Sequence, residues 1–193
     1  METSILLIAD NIRSLHNVGS IFRTADAFGV AKIYLCGYTA LPIDRMGQSV
    51  ARIAKTALGA EKIVPWEKAR QTWRLIEKLK KDGVYIVALE NNVPGAVSIR
   101  EVVPHPHGGG GESSSGGFAG DSQYQNILDW SPRNGGGVVQ IALILGNEVS
   151  GISKNILKRA DAIVQIPMHG KKESLNVSVA CGVALYAMST DAI

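Results

Sequence analysis

Residues 138–151 read VVQIALILGNEVSG, and the reading of this stretch decides the fold. Val138 to Leu145 is an almost unbroken apolar run of strand length, and it stops at a Gly-Asn pair. A strand apolar on both of its faces is buried on both, which is the pattern of a parallel sheet covered by helices. Working outward, Ser4 to Ala9 (SILLIA), Lys32 to Cys36 (KIYLC), Tyr85 to Leu89 and Ala162 to Ile166 read as further strands, with a very short one at Ile63-Val64. Helical spacing places Val18, Ile21, Phe22, Ala25 and Phe28 on one face of a helix from Asn17 to Phe28, stopped by Gly29. Further helices are predicted over 47–58, Trp66 to Lys81, Ser153 to Ala160 (capped by Ser153) and Leu175 to Met188. Strand and helix alternate, so the expected class is α/β: a mostly parallel sheet with helices on both faces.

The rhythm breaks at 104–137, where PHPHGGGGESSSGGFAG and SPRNGGG are dominated by Gly, Ser and Pro. The expectation is a single domain over 1–193 carrying a surface insertion at 104–137. His105 and His107 lie in it without a third ligand, so no metal site is expected. Its glycines neither follow a strand directly nor open a helix, so they make no dinucleotide fingerprint.

Composition narrows the class further. The 193 residues are 46 % hydrophobic and 19 % charged, which is not the balance of a disordered chain. No apolar run reaches the roughly 18 residues of a membrane helix, and no basic region precedes the first apolar run, so neither membrane insertion nor secretion is expected. Cys36 and Cys181 form no CxxC pair; reduced thiols and a cytoplasmic location are the expectation. Residues 1–81 hold 13 basic and 7 acidic side chains, a net of +6, against −3 for the remainder. Such a half suits a polyanionic partner and equally a solvated surface.

Three loops each follow a strand, where ligands bind in open parallel sheets. In the first, NIRSLHNVGSIFRTADAFGV from Asn11, Asn17 stands at the expected helix N-cap and Gly19 in the first turn suggests a close approach. Arg23 flanks the apolar face; spacing alone fits a capped helix with a surface arginine at least as well as a site. In the second, LILGNEVSGI, Glu148 lies in a Gly-bounded turn that is also readable as a plain polar turn. In the third, IPMHGKKESLNVSVA, Ser174 is a candidate cap, while Asn176 and Ser178 are less easily scaffold.

Together, in this order and spacing, the three segments resemble the motifs of the SpoU (TrmH-like) RNA ribose 2′-O-methyltransferases of the SPOUT superfamily. The resemblance covers the chain apart from 92–137. Leu15 departs from a proline common in the family, and the insertion precedes the second motif.

The resemblance implies a C-terminal deep trefoil knot whose loops hold S-adenosylmethionine. Carried over by position, Leu89, Glu90, Gly146, Ile166, Met168 and Leu175 are the cofactor-binding residues. It makes Arg23 the group acting on the 2′-hydroxyl or its phosphate, with Asn17, Glu148, Ser174 and Asn176 completing the catalytic set. It also implies no metal, and a homodimer packed through the knot helices, which the small residues Ser178, Ala180, Gly182 and Ala184 suit. Arg13, Arg45, Arg52 and Lys55 are the candidate RNA-binding residues. The expected partner is RNA rather than DNA, with tRNA ahead of rRNA. The alternative is a non-catalytic SPOUT-like RNA-binding protein, and a nicotinamide enzyme is excluded because Asn11 to Gly19 is not GxGxxG.

Overall fold

The computed structural model describes residues 2–99 and 138–189, so the 104–137 insertion, with His105 and His107, lies outside the described residues. In chain order the elements are β1 (Glu2–Asp10), α1 (Leu15–Ala27), β2 (Lys32–Cys36), α2 (Ala51–Ala57), a 3-10 turn (Ala60–Lys62), β3 (Trp66–Ala69), α3 (Thr72–Lys81), β4 (Tyr85–Leu89), β5 (Val97–Ser98), β6 (Val138–Leu145), α4 (Lys154–Leu157), β7 (Ala162–Gln165) and α5 (Val177–Met188).

The seven strands form one sheet in the order β3-β2-β1-β6-β4-β7-β5, with every pairing parallel. Pleating sends alternate side chains to opposite faces. Leu7, Ala9, Leu35, Val87, Leu143 and Val164 pack with α1, α2 and α5 on one side. Leu6, Ile8, Ile86, Ala142, Ile144 and Ile163 pack with α3 and α4 on the other. The apolar run of β6 is explained by its place between β1 and β4, with helices over both faces. Among the described residues no helix is long and apolar enough to cross a membrane, and both cysteines are buried and free.

Several boundaries differ from the sequence expectation. Trp66 to Lys81 is not one helix: Trp66 to Ala69 pairs with Ile33 to Cys36 as an edge strand, and the helix begins at Thr72. Ile63-Val64 follows the 3-10 turn instead of forming a strand. The helix predicted from 47 begins at Ala51, because Asp44 Oδ1 accepts the N–H groups of Met46 and Gln48 in a local loop. Leu58, expected on its apolar face, ends the helix in a left-handed conformation and is exposed. Ser153 occupies the N-cap of α4 but makes no side-chain cap bond.

Gly19 answers to packing between helices. A Cβ there would collide with the Ile53 carbonyl and the Thr56 hydroxyl of α2, so the close approach expected at this position is to another helix. On α5, Cys181 and Ala184 are buried in the core, while a Cβ added at Gly182 would make only ordinary contact with Thr24 of α1. The face that α5 leaves exposed is larger, carrying Val179, Val183 and Tyr186.

Candidate active site

The three loops meet at the C-terminal ends of β1, β4, β6 and β7. The second and third loops, with the ends of β4 and β6, line a cavity of about 320 Å3, whose walls include Leu89, Glu90, Leu145, Gly146, Ile166 and Leu175. Asn147, Glu148, Ser174 and Asn176 supply polar groups at the same cavity. Of the six residues assigned to the cofactor, Met168 alone is not among those lining it. Gly146 is needed for loop closure: a Cβ there would lie 2.6 Å from Ile152 Cγ1 and 2.7 Å from the Ile152 nitrogen.

Glu148 joins the first two loops. Its Oε2 accepts the Arg13 N–H at 2.9 Å, and its Oε1 accepts the Ser14 N–H and Asn17 Nδ2, each at 2.9 Å. Two of these donors precede α1, so the carboxylate sits at the positive end of that helix. Partial burial pushes the Glu148 carboxyl up; the bonds from Arg13, Ser14, Asn17 and its own N–H outweigh this and hold it below its ordinary value.

Asn17 passes the connection to the third loop. Its Oδ1 accepts Asn176 Nδ2 at 3.2 Å, and Asn176 Oδ1 accepts the N–H and hydroxyl of Ser178. These contacts correct both cap assignments. Ser14 caps α1, which frees the Asn17 side chain for Glu148 and Asn176, and Asn176 caps α5 in place of Ser174. Among the described residues, Asn17 and Asn176 each use one amide N–H and have the second without a partner.

Arg23 stands apart. It is exposed on α1, about 9 Å along the axis from Asn17 at the usual rise per residue, and it does not line the cavity. Among the described residues it makes no hydrogen bond or ion pair. Arg13, Arg45, Arg52 and Lys55 are also exposed, and only the backbone of Arg13 touches the Glu148 network.

Sequence reasoning missed two asparagines. Asn91 clamps the cavity wall, donating to the carbonyls of Ile166 and Glu173 and accepting the Ile166 N–H. Buried Asn147 donates to the Asn11 carbonyl at 2.8 Å and to the Tyr38 hydroxyl at 2.7 Å, and accepts the N–H groups of Val149 and Ser150. Their partners are mostly backbone atoms distant in sequence, which no spacing rule reveals. Only the position of Asn147 inside LILGNEVSGI offered a signal. Neither cysteine is a nucleophile candidate: burial pushes both thiols up to about 12. Among the described residues no cluster of His, Cys, Asp or Glu could hold a metal ion.

Comparison with known families matches residues 4–186 to the SpoU rRNA methylase family. The chain belongs to that family. A Coxiella burnetii relative, named 23S rRNA (guanosine-2′-O-)-methyltransferase RlmB, is 32 % identical over 183 residues, covering 95 % of this chain and 57 % of its own length. The chain therefore spans little more than half of that relative. An Aquifex aeolicus TrmH/SpoU tRNA modifying enzyme shares the fold with a TM-score of 0.67 at 28 % identity, over 96 % of this chain and 74 % of that one. An AdoMet-bound rRNA methyltransferase from Sinorhizobium meliloti superposes with a TM-score of 0.71 at 23 % identity, over 100 % of this chain and 58 % of that one.

Proposed function

We propose that this SpoU-family chain is an S-adenosylmethionine-dependent RNA ribose 2′-O-methyltransferase. The observation that carries the reading is the joining of Glu148, Asn17 and Asn176, from three separate segments, beside a cavity with both apolar walls and polar groups. The cavity residues fit the cofactor. About 320 Å3 lies within the range of small-molecule sites, and Leu89, Leu145, Ile166 and Leu175 give apolar walls for an adenine. Leu89, Glu90, Gly146, Ile166 and Leu175 would hold it. The bound sulfonium supplies an activated methyl group and departs neutral, so the chemistry needs no metal.

The chain's own residues prepare the acceptor. A ribose hydroxyl is a poor nucleophile until it is positioned and its developing charge is stabilised. Glu148 fixes the orientation of Asn17 and the start of α1. Asn17 and Asn176 then present their remaining amide N–H groups to the ribose, with Ser174 beside them at the cavity. Arg23 acts from the α1 flank on the hydroxyl or the adjacent phosphate, through the planar fork that an arginine offers to oxyanions. Arg13, Arg45, Arg52 and Lys55 hold the RNA backbone.

The substrate we favour is rRNA, in place of the tRNA expected from sequence, because the Coxiella relative is named a 23S rRNA enzyme. Cytoplasmic location follows from that reading. We also assign the C-terminal trefoil knot to this fold, supported by the insertion of β6 between β1 and β4 and of β7 between β4 and β5. Exposed Val179, Val183 and Tyr186 on α5 support a homodimer through that helix.

The test incubates the protein with S-adenosylmethionine labelled in its methyl group and total RNA from a strain lacking the gene. Label at a ribose 2′-oxygen is expected. Tight RNA binding with no label transferred would leave the non-catalytic alternative in its place.

A further inference from the structure

At the end of β2 stands a tyrosine that the catalytic reading does not use. Tyr38 is 60 % exposed, yet its surroundings are tightly fixed. Its N–H donates to Asn11 Oδ1 at 3.2 Å, and its hydroxyl accepts Asn147 Nδ2 at 2.7 Å. Lys68 Nζ donates to the carbonyls on either side of it, Gly37 at 2.7 Å and Thr39 at 2.8 Å. Thr39 is itself buried, its hydroxyl donating to the Ala9 carbonyl and accepting the Ile12 N–H. An aromatic side chain that only filled space would be covered. This one is held at both ends and left open to solvent.

Its location suits a ligand. Asn147, which holds the hydroxyl, is part of the cavity wall and the immediate neighbour of Glu148. The same Asn147 amide holds the Asn11 carbonyl, two residues before exposed Arg13, whose N–H binds Glu148. The ring therefore lies one side chain from the cavity, with the Lys68 ammonium bonded to its own turn and Arg13 close along the chain.

We propose that the Tyr38 ring is a stacking platform for an unpaired RNA base beside the nucleotide presented to the cavity. Stacking on a fixed aromatic ring with cations nearby is how single-stranded RNA is commonly gripped, and it tolerates any base because every base has a π-face. A ring already immobilised by hydrogen bonds loses little conformational entropy when a base settles on it. The proposal rests on the RNA methyltransferase reading and adds a contact outside the catalytic network.

The test compares Tyr38→Ala and Tyr38→Phe. Three readouts are needed: methyl transfer to total RNA from a strain lacking the gene, filter retention of that RNA, and calorimetric binding of S-adenosylmethionine. Removal of the ring is expected to raise KM for RNA by roughly tenfold or more, with kcat and cofactor affinity little changed. Tyr38→Phe keeps the ring and is expected to recover most of the loss. Equal KM in Tyr38→Ala and wild type would overturn the proposal. So would a loss in Tyr38→Phe as large as in Tyr38→Ala, or a parallel fall in cofactor affinity; either would reduce the residue to a support for Asn147. A wild type that retains RNA but transfers no methyl group would sink the enzymatic reading alone, and weaker retention by Tyr38→Ala would still uphold the platform. A wild type that retains no RNA would overturn both.

Discussion

Glu148 is the single side chain whose removal should separate the site into its parts. Glu148→Ala deletes three hydrogen bonds of 2.9 Å, two of them from backbone N–H groups at the start of α1. Bonds to a charged acceptor contribute a net ~1.5–3 kcal/mol each, the larger values applying where water cannot replace a lost partner. Glu148 is exposed, so water replaces it at both backbone donors and the net cost shrinks. A total of ~1–2 kcal/mol is the expected loss, lowering Tm by roughly 3–6 °C in a chain of this size. Glu148→Gln is informative in a different way. With its carbonyl in the place of Oε1 it keeps the bonds to Ser14 and Asn17, but its NH2 group then opposes the Arg13 N–H, donor against donor. It should lie between wild type and alanine in stability.

The same residue sets a pH dependence whose sign is fixed. The folded carboxyl titrates below its ordinary value of 4.5. Its contribution is therefore fully present above the unfolded value and is lost as pH falls through the lower folded value. The Tm difference between wild type and Glu148→Gln should be largest near neutral pH and should narrow on acidification below about 4.5. Turnover in methyl transfer should fall by roughly ten- to a hundredfold in Glu148→Ala, the scale of a misplaced positioning group. Thermal melts across pH 3–8 and single-turnover methyl transfer measure both. An alanine variant with unchanged Tm and turnover would show that the three bonds hold nothing in place.

Three further outcomes are expected. Arg23→Ala should leave Tm and cofactor binding nearly unchanged while lowering turnover by about a hundredfold, and Arg23→Lys should rescue poorly because it loses the planar fork; full activity in Arg23→Ala would remove the residue from the mechanism. Gly19→Ala should cost ~1–3 kcal/mol by forcing α2 away from α1, visible as a lowered melting transition, and an unchanged melt would contradict the close packing of the two helices. If α5 forms the proposed dimer interface, Val183→Asp on its exposed face should be monomeric in sedimentation analysis where the wild type is dimeric, whereas a monomeric wild type or a persistent variant dimer would overturn that assignment.

The legibility of this chain varies with how local the deciding physics is. Val138 to Leu145 announced a central strand because burial on both faces leaves an apolar run in the sequence itself. Trp66 to Ala69 carries no such mark: as a four-residue edge strand it is half exposed, and its residues also satisfy helical spacing. Pairing with Ile33 to Cys36 decides its state, and that pairing is invisible in the segment. The start of α1 shows the same limit. Ser14 and Asn17 are both competent caps three residues apart, and what assigns Ser14 the cap is the demand of Glu148 and Asn176 on the Asn17 amide. Through the family resemblance the residues proposed for the site were legible as types and spacings. Their division of labour was not, and the separation of Arg23 from the cavity appears only in three dimensions.

The strand order explains why so few side chains hold this site together. With β6 between β1 and β4, the loop carrying Glu148 emerges directly beside the loop that enters α1. The turn after β7 is tied to the end of β4 by Asn91. The Glu148 and Asn91 links therefore span neighbouring strand ends and each needs only one side chain, while the Asn17–Asn176 bond reaches from the segment after β1 to the segment after β7. On the proposed mechanism Glu148 and Asn17 serve fold and site at once: the carboxylate that holds the start of α1 also aims the Asn17 amide. Substitutions here should couple stability to activity, whereas Arg23, outside this network, should affect activity with little effect on stability.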